Sequence, residues 1–153
     1  MSALLLFTHL LAACIWVGGL VAIAVVARVA RRELAPATRV AFFRSLGRSY
    51  ATVGGPALAV ALLTGAGLLV QRGWDHAATA AALLAVTLIL ATAAGVVQAR
   101  AMTRLRQRAV GAPGDPALLA RVDRGARRAL FLRGAIGTFT LALLALGAVI
   151  ASG

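Results

Sequence analysis

Lysine is absent from this 153-residue chain, and acid nearly so: its four carboxylates are Glu33, Asp75, Asp115 and Asp123. All 16 basic residues are arginine, leaving a net charge of +12. None of the acids falls inside a long apolar run, which counts against a transporter that moves protons through intramembrane carboxylates. Cys14 is the single cysteine, so there is no internal disulfide and no paired-cysteine motif. Methionine occurs only as Met1 and Met102, too few and too far apart for a thioether copper relay. There is no glycine-rich phosphate loop, and no Ser-His-Asp set can be assembled. Enzymatic chemistry would have to be carried by a cofactor.

What the chain has instead is apolar length. Hydrophobic residues make up 61% and charged residues 13%, against roughly a quarter charged in soluble domains. One core of this size cannot hide so much apolar surface. Four runs stand out, about 4–27, 50–70, 77–99 and 134–151, each long enough at 1.5 Å per residue to cross a hydrocarbon core of about 30 Å. Lipid offers no partner to an unpaired backbone group, so the runs are expected to be helices. Glycines in these runs, among them Gly18, Gly19, Gly65, Gly67, Gly95 and Gly137, let backbones approach closely. The expected fold is all-α: a single transmembrane domain over residues 1–153, an integral membrane four-helix bundle with a helical-hairpin extension.

The arginines orient it. Six lie between Arg28 and Arg48 and nine between Arg100 and Arg133, with Arg72 alone elsewhere. Two basic loops between apolar spans fit the positive-inside rule, placing both in the cytoplasm and both termini outside. They predict contact with anionic lipid headgroups and not with nucleic acid. No positive side chain precedes the first apolar run, so that span is expected to be retained as an anchor. Pro36 is expected to start a short helix through Arg48, with Val40, Phe43 and Leu46 on one side, either lying on the membrane or forming a solvated loop. Pro56 is expected in the early turns of span two. Arg100, Arg104 and Arg108 recur every four residues, which extends span three as a helix beyond the membrane. The break is expected at Gly111-Ala112-Pro113-Gly114-Asp115-Pro116, with Asp115 as N-cap of the next helix and Asp123 paired with Arg127 along it.

Polar side chains within such runs carry the information about function. His9 and Trp16 share one helix face, with the small Ala12 and Ala13 between them, a groove for a flat macrocycle or a partner helix. Cys14 lies about 140° around the helix from His9 and cannot join it on one ion. His76 opens span three, with Thr79, Thr87 and Gln98 on nearly the same face. His9 and His76 both fall in the outer half of the bilayer, about 10 Å apart in depth. That spacing opposes one small ion shared by both, unless His76 folds inward. It permits one histidine to bind iron or copper while the other handles a propionate or a proton. The bland alternatives are that His9 hydrogen-bonds across to a threonine or a carbonyl, that His76 is a wetted boundary residue, and that the threonines are interhelical glue.

The segment His9-Leu10-Leu11-Ala12-Ala13-Cys14-Ile15-Trp16-Val17-Gly18-Gly19-Leu20 resembles the opening helix of copper-resistance D (CopD-like) membrane domains. It is also similar to a family of small four-helix bacterial membrane proteins and, more distantly, to the HemJ family of heme-linked protoporphyrinogen oxidases. Pro56 and Thr64-Gly65 fit the first two groups. The resemblance implies a protein of the bacterial inner membrane that holds heme b or copper near the outer leaflet through His9, with Trp16 and Gly19 shaping its surroundings. The competing expectations are a subunit without cofactor that docks a larger membrane complex or a second copy of itself, and, third, a channel or carrier.

Overall fold

A computed structural model describes residues 3–111 and 114–152, which form four helices: α1 (Ala3–Glu33), α2 (Pro36–Arg72), α3 (His76–Gly111) and α4 (Pro116–Ser152). No strand occurs among the described residues. Each apolar run lies within one helix, and all four helices are long and apolar enough to cross a membrane. The protein is an all-helical, multi-pass membrane chain. At 31 to 37 residues, each helix is about 46 to 56 Å long, well beyond a 30 Å core. The excess length carries the arginines.

The breaks have local causes. Ala35 precedes a proline and is extended (φ −56°, ψ 149°), which stops α1 and lets Pro36 start α2. Gly73, at φ 101°, ends α2 with its N–H on the Leu69 carbonyl at 3.2 Å, a conformation that side chains resist. Asp75 then caps α3, accepting the Ala78 N–H at 2.7 Å. Asp115 caps α4 as its sequence position predicts, accepting from Ala117 at 2.9 Å and Leu118 at 3.2 Å. Ala112 and Pro113, in the middle of the expected break, lie outside the described residues.

Three expectations are corrected. The segment from Pro36 to Arg48 is not a separate helix but the first third of α2. Val40, Phe43 and Leu46 continue one partly buried face through Tyr50, Gly54, Ala57 and Thr64, while Arg44 and Arg48 stay exposed. Pro56 accordingly lies deep in α2, where it cannot donate to the Thr52 carbonyl one turn back. Further on, Asp123 makes no ion pair with Arg127 among the described residues.

The chain packs as two compact units, Met1–Ala82 and Leu83–Gly153, with the boundary inside α3. In the first, α1 packs along α2. Ala12, Ala27 and Ala30 of α1 and Ala57 of α2 are buried, small side chains where helices lie close. In the second, the Gln98 amide donates to the Gly125 carbonyl at 3.1 Å, crossing from α3 to α4. Gly125 also leaves room for the buried Met102 thioether, and Gly95 for the Ile136 side chain. Of the polar stripe on α3, Gln98 alone makes this crossing among the described residues, and the two threonines, read as one alternative as interhelical glue, bond locally. Thr79 donates to the Asp75 carbonyl at 3.0 Å and Thr87 to Leu83 at 2.8 Å, each along its own helix.

Candidate functional site

His9 projects from α1 toward α2 and is half-buried. Its Nδ1 lies 2.9 Å from the Ala61 carbonyl oxygen and 3.1 Å from the Thr64 hydroxyl oxygen. A carbonyl only accepts, and the Thr64 hydroxyl donates to the Val60 carbonyl at 2.6 Å. Both neighbours of Nδ1 therefore act as acceptors, which assigns the proton to Nδ1. In the neutral ring the lone pair then sits on Nε2, which has no hydrogen-bond partner among the described residues. Gly65 makes room for this arrangement: a Cβ there would lie 3.1 Å from Cε1 of the imidazole and 3.5 Å from Nδ1. Spacing on α1 makes the face of His9 legible, but not the α2 residues it meets.

Trp16 and Gly19 belong to a second cluster, two turns further along α1, centred on a residue that sequence inspection passes over. The Tyr50 ring packs against the buried Trp16 with centroids 6.2 Å apart and planes at 33°. Its hydroxyl donates to the Trp16 carbonyl at 3.4 Å. The ring lies directly over the backbone of Gly19 on one side and Gly54 on the other. The one sequence signal is a lone tyrosine at the start of span two, four residues before Gly54. Trp16 and Gly19 thus shape the helix pair in which His9 sits, while the groove side is closed where Ala12 is buried.

His76 is the first residue of α3 and is exposed, beside the exposed Trp74 and Asp75. No hydrogen bond joins it to His9. Cys14 is exposed on α1. Among the described residues no three His, Cys, Asp or Glu side chains gather as a metal-ligand group. His9 alone thus brings one nitrogen, which bears differently on the two candidate groups. A copper ion draws its shell from protein side chains, whereas heme iron has four nitrogens from its macrocycle and is held by one axial imidazole. The donor set fits heme better than copper. An imidazole whose far nitrogen donates to a carbonyl is also the arrangement that orients metal-bound histidines and raises their basicity.

Compared with known proteins, the chain matches no family model, no curated protein and no solved structure.

Proposed function

We propose that this chain is a bacterial inner-membrane protein that binds heme b through Nε2 of His9, near the outer leaflet. The observation that supports it is the pair of acceptors on His9 Nδ1, which leaves Nε2 as the donor nitrogen. Ala61 and Thr64 hold the ring and its tautomer, and Gly65 leaves the space for it. Bound there, heme would supply one-electron redox chemistry. The chain's own part is to orient the imidazole. In this reading both termini face out, and the two arginine-rich hairpins face the cytoplasm and its anionic lipids.

The test is the absorption spectrum of the detergent-purified protein, oxidised and dithionite-reduced, with elemental analysis of the same sample. A Soret band and a reduced α-band are expected, both lost in His9→Ala while the protein still inserts. Stoichiometric copper without a Soret band would move the assignment to copper. Colourless, metal-free protein, even when expressed with heme and copper supplied, would overturn it. The same His9 bonds would then serve only to tie α1 to α2, and co-purification with a larger membrane complex would identify an accessory subunit. A reporter fused after Gly153 is expected to read as external, and a cytoplasmic reading would reverse the orientation.

A further inference from the structure

The second unit holds a cavity of about 290 Å³ between the end of the apolar part of α3 and the start of α4. Its two walls differ in chemistry. On the α4 side stand Arg121, Arg124 and Arg128, spaced three and four residues apart and so on one helix face. On the α3 side stand Gln98, Met102 and Leu105. None of the three arginines has an ion pair among the described residues, and Asp123, the acid next to Arg124, pairs with none of them. Three cations thus converge on one cavity without an acid to neutralise them. Guanidinium groups match phosphate oxygens in geometry as well as charge.

Depth narrows the choice of anion. Gln98 is at the end of the apolar stretch of α3, and Arg128, Arg124 and Arg121 precede the apolar stretch of α4 by six, ten and thirteen residues, about 9, 15 and 20 Å of helix. The cavity therefore begins where apolar spans give way to charged helix, the level of phospholipid phosphates, and extends outward from it along the charged helices. Its volume, at the low end for small-molecule sites, suits a headgroup and not a whole lipid. We propose that this cavity binds the phosphate of an anionic glycerophospholipid, with Arg121, Arg124 and Arg128 holding the phosphate. A free phosphate shares that chemistry, so the test separates the two sources.

The experiment is native mass spectrometry of the full chain in a neutral detergent, titrated with phosphatidylglycerol or phosphatidylcholine. Phosphatidylglycerol is expected to be retained as a single adduct, roughly tenfold or more over phosphatidylcholine. The triple variant Arg121→Gln/Arg124→Gln/Arg128→Gln should lose that preference. So should Ala101→Trp, which fills the cavity and keeps every arginine. The variant Arg39→Gln/Arg44→Gln/Arg48→Gln removes the same charge elsewhere and should keep it, as should His9→Ala, whatever becomes of the heme assignment. Equal loss in both triple variants, or full retention in Ala101→Trp, would overturn the site in favour of bulk charge. Displacement of the lipid by inorganic phosphate alone would overturn the lipid as ligand and assign the pocket to free phosphate.

Discussion

Gly18 and Gly19 are chain neighbours in the same helix, yet alanine at the two positions should act in opposite directions. A Cβ at Gly18 meets nothing within 4 Å, whereas one at Gly19 runs into the Tyr50 ring, with the hydroxyl oxygen at 2.9 Å. Replacing glycine by alanine within a helix gains about 0.8–1.0 kcal/mol of backbone preference at either site. At Gly19 that gain is set against overpacking, which costs about 1–3 kcal/mol. Tyr50 cannot simply swing away. Gly54 lies under its other side, where a Cβ would be 2.6 Å from Cζ, and Trp16 flanks it. Gly18→Ala should therefore be neutral to stabilising, and Gly19→Ala about 1–3 kcal/mol worse than its neighbour. The assay is unfolding by SDS in mixed micelles, followed by tryptophan fluorescence, since the buried Trp16 adjoins the perturbed ring. On a Tyr50→Ala background the difference should vanish, because the clash has been removed from the other side. Equal midpoints for the two single variants would refute the packing argument, as would a Gly19 penalty that survives Tyr50→Ala.

Two further outcomes are expected. Gly65→Ala should lower the Soret absorbance per protein, because its Cβ at 3.1 Å pushes the His9 ring off Ala61; Gly67→Ala, whose Cβ meets Leu5 at an ordinary 3.5 Å, should not. Equal heme retention in the two variants would remove Gly65 from the site. Asp75→Ala should cost about 1 kcal/mol through loss of the α3 cap, while Asp75→Asn should stay near wild type. The exposed Arg72–Asp75 pair at 3.9 Å adds little, so high salt should leave the Asp75→Ala loss unchanged, and a loss that salt abolishes would identify the ion pair as its cause.

The local features of this protein were legible because they depend on neighbours in the chain. Apolar runs of bilayer length foretell helices, since a lipid-exposed backbone must satisfy itself. Asp115 before Pro116 foretells a cap, and Arg100, Arg104 and Arg108 foretell the extension of α3 to Gly111. Even the prosaic option for His9, a hydrogen bond across to a threonine or a carbonyl, could be stated from its place inside an apolar run. Pro56 misled, because proline more often begins a helix than lies twenty residues inside one.

Which threonine and which carbonyl His9 meets was a matter for the tertiary structure. The register of α1 against α2 brings Ala61, Thr64 and Gly65 to His9, and the same register lays Tyr50 between Gly19 and Gly54. In the second unit, the pairing of α3 with α4 sets Gln98 and Met102 opposite Gly125 and opens a cavity beside three unpaired arginines. Helical periodicity places a residue on a face of its own helix, but contains nothing about the height at which another helix crosses it. That height follows from side chains packing jointly along two helices far apart in sequence. The sequence by itself therefore determined a membrane protein of four helices, and the packing between helices decided which side chains meet.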